Sequence, residues 1–277
     1  MGSPDLMGSS MQTFSWYFNR LRMMSFGEIA WRVSSLGAAI IEDFRVKIGL
    51  VAKPNYSQEP GTFAPSFRVF KAGVGELGKS VNELDLNWIA SLRAKADSVC
   101  EHRLSFFNLD RLYLGDPIDW NSDHFSKIKC SMAPIMKVNY RDFKVNGDCK
   151  LVWEPNRHHH LVVLGRAYRA TGEIQYAQEA VKQIESWMAA NPYGYGMNWR
   201  SPLELGVRLI NWVWTYDLIL ESGLLDEAFR QKFFACVYLH CRDVAGKFSQ
   251  GTSANNHLVG EAAGVFVAAS YFDLFEE

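Results

Sequence analysis

The sequence lacks an excess of charge of either sign, because 29 lysines and arginines face 30 aspartates and glutamates, for a formal net charge of −1. Proteins that mainly bind nucleic acids or anionic membrane surfaces usually carry a basic excess. The composition therefore predicts no nucleic-acid partner, and it leaves room only for a local basic patch.

The sequence also lacks paired cysteines and long apolar runs. Its five cysteines are an odd number without a Cys-X-X-Cys pair, which argues against a disulfide framework or a zinc ribbon. No apolar run reaches the roughly 18 residues of a membrane span. No apolar segment followed by a small-residue cleavage site marks a signal peptide. We expect five free thiols, no metal, no cofactor and no membrane span, in the cytoplasm or, if a signal was removed, the periplasm.

What the sequence does contain is enough apolar material for a large core, at 48% hydrophobic residues with 18 Phe, 11 Tyr and 9 Trp. Some of these rings could instead line a sugar-binding surface. Residues 1–10 are predicted to be an expression scar before a natural start at Met11. Residues 11–120 are predicted to be a helical and irregular region that forms one domain with the helical hairpins of residues 121–277.

Apolar periodicity with capping and stop signals predicts a mainly α protein. Residues 103–120 are expected to be extended, and Ser253 is expected to cap the last helix. Successive hairpins can stack as an open solenoid or close into an α/α toroid, and periodicity does not choose between them. The predicted helices span about 14–50, 78–103, 156–170, 174–190, 201–221, 226–248 and 253–275.

The helix predicted from Ser201 carries one polar stripe, formed by Glu204, Arg208, Asn211 and Thr215, on an otherwise apolar surface. Spacings of four, three and four place these residues on one face. Such a stripe must face a partner or a cavity, because an unpaired buried charge is costly. It is either an internal Glu204–Arg208 pair or the wall of a polar cleft in which Arg208 meets an acidic ligand.

Two further stretches belong to the cleft interpretation. Asn198, Trp199 and Arg200 precede the striped helix and would form the lip of the cleft. In "WEPNRHHHL", consecutive histidines point in different directions on a helix and cannot all bind one metal. This stretch is either capping and surface charge, or it adds Arg157 and one histidine, most simply His158, to the cleft.

The stretch "SANNHLVGEAAG" begins the last predicted helix with Asn256 and His257, and Glu261 follows one turn later on the same face. Gly260 and Gly264 lie close to that face and allow another backbone or a ligand to approach. The asparagines could simply cap the helix. The histidine could be a satisfied core residue, or it could pair with Glu261. The alternative is a polar site.

Three stretches in this order, "WEPNRHHHLVVLGRAYRATGEIQYA", "SWMAANPYGYGMNWRSPLELGVRLINW" and "SANNHLVGEAAG", resemble the heparinase II/III-like and alginate-lyase-like polysaccharide lyases. The resemblance covers about residues 119–277. It implies an incomplete α/α toroid that ends before the family's usual β-sandwich domain. It also implies β-elimination on an acidic, uronic-acid-containing polysaccharide or oligosaccharide, and a role in exopolysaccharide metabolism.

The resemblance assigns Asn256 and His257 to neutralisation of the substrate carboxylate, with a second role for His257 in proton transfer. The substrate-binding positions are then Arg157, His158, Asn198, Trp199, Arg200, Glu204, Arg208, Asn211 and Glu261. The family's catalytic tyrosine has no counterpart here, because Tyr271 lies too near Asn256 in sequence. We expect this chain to be inactive without a C-terminal half of the same protein. The rival hypotheses are a non-catalytic carbohydrate-binding or scaffold module, a helical-repeat interaction protein, and a related hydrolase or epimerase.

Overall fold

The computed structural model describes residues 22, 24–57, 59–69, 83–250 and 254–273. Residues 1–10, predicted to be an expression scar, and Ser253 lie outside these residues. In the described part, the α-helices are α1 (Phe26–Lys47), α2 (Glu83–Cys100), α3 (Phe143–Asn146), α4 (Cys149–Asn156), α5 (His159–Thr171), α6 (Ile174–Ala190), α7 (Pro202–Ile219), α8 (Glu227–Ala245) and α9 (Asn256–Phe272). The strands form two antiparallel pairs, β1 (Arg103–Phe106) with β2 (Leu109–Tyr113) and β3 (Ser122–Asp123) with β4 (Ile128–Lys129).

Helices α5, α7 and α9 lie side by side and run in the same direction. His159 at the start of α5 contacts Asn211 of α7, and Gly165 further along α5 contacts Leu218. Between α7 and α9, Gly206 contacts Gly264, and Asp217 accepts a hydrogen bond from Tyr271 at 2.7 Å. The intervening α6 and α8 return the chain. The result is an arc of an α/α toroid, with α5, α7 and α9 as its inner helices.

The core between the inner and outer helices is unusually aromatic. It holds the fully buried rings of Trp187, Trp212, Tyr216, Phe233 and Phe234. Trp187 and Trp212 meet edge to face with their ring centroids 5.5 Å apart, a favourable geometry for aromatic pairs. Part of the high aromatic content of the sequence is therefore used in this core.

Three glycines bring α7 and α9 into backbone contact. A Cβ atom on Gly264 would lie 2.4 Å from the Cα of Gly206, and one on Gly206 would lie 2.7 Å from the carbonyl oxygen of Gly260. These distances are too short for any side chain to be added. The expectation that Gly260 and Gly264 admit another backbone is confirmed, and that backbone is α7.

Most predicted helices are present, with ends that differ by a few residues. The helix predicted over about 14–50 is the exception, because the chain leaves the helical conformation at Met24 and Ser25, and α1 begins at Phe26 with Ser25 as its cap. Helix α6 occupies residues 174–190 as predicted, and α7 begins after Ser201 with Pro202 in its first turn. The helix predicted over about 156–170 is α5, which begins three residues later, and the sequence analysis missed the short helix α4 before it. His158, in the left-handed conformation at φ 65°, separates the two helices. No helix among the described residues is long and apolar enough to cross a membrane.

We predict that Gly264→Ala destabilises the fold by about 1–3 kcal/mol, because the added methyl group meets rigid backbone in a filled contact. Urea denaturation followed by circular dichroism measures this change. Gly37→Ala in α1 is the matched control, since no atom lies within 4 Å of its added Cβ. It should stabilise the helix by roughly 0.5–1 kcal/mol. Equal stabilities for the two variants would contradict the backbone contact.

Candidate functional site at the N-terminal end of the inner helices

Helix α5 begins beside the middle of α7, where His159 contacts Asn211, and Arg157 just before it reaches back to Glu204 in the first turn of α7. Helices α7 and α9 begin together at one end of the arc, since Gly206 contacts Gly260 and Gly264. We call this end, formed by residues 157–159, 199–200 and 255–257, the inner-helix end. The starts of α7 and α9 add partial positive charge from their free backbone N–H groups, so this end favours anionic ligands within about one turn. Two of the three predicted cleft stretches, together with the Asn256 and His257 pair, lie here.

At the start of α9, two adjacent asparagines have different roles. The Asn255 side chain caps the helix by accepting a hydrogen bond from the backbone N–H of His257 at 3.1 Å. Asn256 and His257 are exposed, and their side chains form no hydrogen bond to a described residue. The capping alternative therefore holds for Asn255 and leaves the Asn256 amide available. The expected cap, Ser253, lies outside the described residues, and α9 begins three residues later.

Glu261 has a structural partner. Its carboxylate accepts hydrogen bonds from the backbone N–H and the hydroxyl of Ser249, both at 2.7 Å, and only 1% of the residue is exposed. The contact ties the segment after α8 to α9. Glu261 does not pair with His257, and it does not face solvent as a substrate-binding residue would.

Arg157 and Glu204 form the ion pair that closes the α4–α5 junction onto α7. The Arg157 guanidinium donates to both Glu204 carboxylate oxygens, at 2.6 and 3.0 Å, and to Glu154 at 2.8 Å. Hydrogen bonding to Glu204 raises the pKa of Arg157. Glu204 is 3% exposed, whereas about a third of the Arg157 side chain, 29%, reaches solvent. The predicted internal Glu204–Arg208 pair is wrong, because Glu204 pairs across helices.

Arg208 lies inside the core and does not line an open cleft. Its guanidinium donates to the carbonyl oxygens of Asn156 and Asn198 and to Nε2 of His240, and it lies 4.2 Å from the centre of the Trp187 ring. Burial lowers the pKa of Arg208 to about 9, so the group keeps its charge at neutral pH. The polar stripe of α7 faces a protein partner, namely the α4–α5 junction.

The predicted lip residues divide between core and surface. Asn198 is fully buried and donates to Asn191 at 2.9 Å. Trp199 is also buried and donates its ring N–H to the Asn191 carbonyl. Arg200 is exposed, with its guanidinium 5.6 Å from the Tyr140 ring centre. Of the three, only Arg200 is placed to meet a ligand at the inner-helix end, since Asn198 and Trp199 are buried.

The three consecutive histidines point to three different partners. The buried His158 accepts a hydrogen bond from the Trp212 ring N–H at 2.8 Å. His159 is exposed, and its Nδ1 accepts from the Asn211 amide at 3.0 Å. His160 is buried beside Gln183 at 3.0 Å. His158, predicted to lie on the cleft, is held in the core by Trp212. The histidine exposed at this end is His159.

One feature of this region had no signal in the sequence. The β1–β2 hairpin folds against α2 and the α4–α5 junction and encloses a cavity of about 400 Å³, with Lys95, Arg103 and Phe106 in its wall. These residues carry no motif and lie far in sequence from the predicted cleft. Only the tertiary position of the hairpin brings them to His159.

The fold and the inner-helix end define a class: a helical toroid with an exposed polar pair where an inner helix begins. The sequence model of the heparinase II/III N-terminus family matches residues 76–277. The chain belongs to that family.

Relatives with curated descriptions are longer proteins. A heparin-sulfate lyase of Bacteroides stercoris is 29% identical over a stretch that covers 50% of this chain and 23% of that protein. A heparin-sulfate lyase of Pedobacter heparinus is 26% identical and is matched over 21% of its length. The chain thus spans less than a quarter of either relative.

Solved structures show the same fold. A heparan sulfate lyase HepC mutant from Pedobacter heparinus superimposes with a TM-score of 0.53 at 19% identity, over 87% of this chain and 32% of that one. A heparinase III gene product with methylated lysines gives a TM-score of 0.55 at 21% identity, over 80% and 32%. These superpositions confirm the predicted mainly α toroid and favour it over the alternative of an open solenoid.

We predict that the stability of the fold depends on pH through the buried His160. Burial lowers its pKa from 6.5 to about 3. Below pH 6.5 the unfolded chain therefore binds a proton that the folded chain does not, and stability falls as the pH falls towards 3. His160→Gln keeps a polar group beside Gln183 and removes this titration.

Urea denaturation at pH 6.5, 5.5 and 4.5 measures the difference. Between pH 5.5 and 4.5, the wild type should lose about 1.4 kcal/mol more per pH unit than His160→Gln, which corresponds to one proton. Parallel pH profiles for the two proteins would contradict burial of the neutral ring.

Proposed function

We propose that this chain forms the toroid part of a polysaccharide lyase that cleaves an acidic, uronic-acid-containing polysaccharide by β-elimination. Asn256 and His257 are the proposed catalytic residues. Arg157 and Arg200 are the proposed substrate-binding residues at the same end. The proposed roles of His158, Asn198, Trp199, Glu204, Arg208, Asn211 and Glu261 become positioning roles, since these residues are buried and hydrogen-bonded to protein groups.

One observation carries the proposal: Asn255 caps α9, so Asn256 has no structural task that the described residues reveal. Asparagine is common at helix N termini because it caps them. A second, exposed asparagine directly after the cap is not needed for capping, so its amide is available to a ligand. An amide donor beside the positive end of a helix dipole suits a carboxylate group.

The chemistry explains why such a donor is useful. In β-elimination a base removes the C5 proton of a uronate, a C4–C5 double bond forms, and the C4–O4 bond breaks with protonation of the leaving oxygen. Negative charge builds up on the carboxylate as C5 loses its proton. Fixed donors such as the Asn256 amide and the His257 ring N–H stabilise that charge, by the principle of an oxyanion hole. His257 is also suited to proton transfer.

Tyr271 cannot supply the base. It is 1% exposed, and its hydroxyl donates a hydrogen bond to Asp217 at 2.7 Å. Burial also raises the pKa of Tyr271. We propose that the remaining acid and base come from a C-terminal part of a longer protein, as the greater length of the relatives suggests. In this proposal residues 11–120 and 121–277 form one domain, and the 277 residues alone bind substrate without turnover.

Heparan sulfate is the first substrate to test, because the similar proteins are named as lyases of heparin-sulfate or heparan sulfate. It combines uronate carboxylates with sulfate groups. Alginate, which carries carboxylates alone, is the natural comparison. A function in exopolysaccharide metabolism stays a prediction.

The second candidate is a non-catalytic carbohydrate-binding module of the same fold. The burial of Tyr271 and the cross-helix pairing of Glu204 favour it for the isolated chain, since neither residue is available for proton transfer. Binding of acidic oligosaccharides without any unsaturated product in the full-length protein would support it.

We predict that Asn256→Ala in the full-length protein lowers the rate of β-elimination roughly 100- to 1000-fold, the usual effect of removing one donor to a developing anion. The ultraviolet absorbance of the unsaturated uronate product measures the rate. The fold should survive, because the Asn256 side chain is exposed and binds no described residue.

The matched control is Asn255→Ser, which replaces the neighbouring asparagine by another good cap. It should keep most of the wild-type rate and the wild-type melting temperature. Undiminished elimination by Asn256→Ala would disprove the assignment of this residue.

A further inference from the structure

The cavity beneath the β1–β2 hairpin has the size and lining of a ligand site. Its volume of about 400 Å³ lies within the usual range for small-molecule pockets. One wall is apolar, with Val99, Leu104, Phe106 and Val163. Apolar and aromatic surfaces of this kind suit the C–H faces of a sugar ring.

The charged groups in the wall are predominantly basic. Lys95 is exposed and forms no ion pair with a described residue. The carboxylate nearest to Arg103 is Glu101, at 3.8 Å, and Glu101 binds Arg111 more closely at 2.8 Å. The Arg103 guanidinium also lies 5.1 Å from the centre of the Tyr113 ring and donates to the Arg111 carbonyl oxygen at 3.5 Å, contacts that leave its charge in place. Because neither cation is closely neutralised, an anion entering the cavity meets two available positive charges.

The one carboxylate in the wall is already engaged. Glu154 accepts a hydrogen bond from Arg157 at 2.8 Å, which offsets part of its charge, since Arg157 also pairs with Glu204. No other carboxylate belongs to the cavity wall among the residues described. Two cations against one paired carboxylate give its wall a positive character.

His159 adds a hydrogen-bond donor. Its Nδ1 accepts from the Asn211 amide, so the proton of the neutral ring is on Nε2. The ring is exposed and belongs to the cavity wall. The cavity thus combines two cations, one ring N–H donor and an apolar wall that includes Phe106.

We infer that this cavity is a second binding site for an anionic saccharide, in which Lys95 and Arg103 bind sulfate or carboxylate groups and Phe106 contacts a sugar ring. The site lies beside the α4–α5 junction and apart from Asn256 in sequence and in lining. Its ligand class rests on the proposed function. Asn256 and His257 are not part of the cavity wall. The cavity would therefore bind a different part of a long saccharide from the part that lies at Asn256.

The test measures binding of a heparan sulfate hexasaccharide to the 277-residue chain by isothermal titration calorimetry. The double variant Lys95→Ala/Arg103→Ala should raise Kd roughly tenfold, since two exposed charge contacts together supply about that factor. The matched control is Arg93→Ala/Lys182→Ala, which removes the same charge from residues paired with Glu173 and Glu179 outside the cavity. The control should bind as the wild type does.

The ligand's charge is tested with two further probes. A desulfated hexasaccharide that keeps its carboxylates shows whether sulfate is required, and a carboxyl-reduced, desulfated one should bind weakly to every variant. If the double variant fails to fold, the same binding measurement is made with Lys95→Gln, a single substitution of an exposed residue. Equal Kd values for cavity and control variants would overturn the inference.

Failure of the proposed function gives a different result. If the full-length protein produces no unsaturated uronate but the cavity variants still weaken binding, the second site stands without the lyase. If elimination proceeds and the cavity variants bind normally, the lyase stands without the second site. Asn256→Ala in the 277-residue chain should keep the Lys95- and Arg103-dependent part of the binding.

Discussion

The buried guanidinium of Arg208 is the constraint on which the inner-helix end depends. A charge removed from water is costly unless hydrogen bonds satisfy it. Its acceptors are the carbonyl oxygens of Asn156 and Asn198 and the ring of His240, and Trp187 lies against its face. These groups come from the α4–α5 junction, the turn before α7, α8 and α6. Because one cation must reach all of them, the relative positions of these elements are closely limited.

The buried contacts of Arg208 also determine where Arg157 and His159 lie at the surface. With the α4–α5 junction fixed against α7, Arg157 reaches Glu204 and His159 reaches Asn211. Arg157 and His159 are thus held by partners that are themselves buried. A change to the stripe of α7 would act on stability and on the surface geometry together, so loss of binding in such a variant would not identify a ligand contact. Asn256 is free of this ambiguity, since its side chain binds no described residue.

The sequence predicts the elements better than it predicts their surroundings. The 3.6-residue period and the stop at Asn191–Pro192 were sufficient for α6, and Ser201 with Pro202 for the start of α7. Periodicity found the polar face of α7 but not what it faces, because that depends on a junction in which His158 adopts a left-handed conformation. Helix α4 was missed since it is short and contains Pro155. The cavity wall joins residues from α2, β1 and α5, and no local pattern links them.

The two asparagines at the start of α9 show how a structural role can be separated from a chemical one. Asparagine is a common cap, so either residue could cap the helix. The sequence alone could not say which one is the cap and which one is available to a ligand. The hydrogen bond from the His257 N–H to Asn255 does divide them, because one cap satisfies that donor and a second is redundant. Glu261 and the glycine contact then hold α9 against α7 from within. The Asn256 amide therefore projects from a helix whose position is fixed by other residues, as a donor to a developing charge requires.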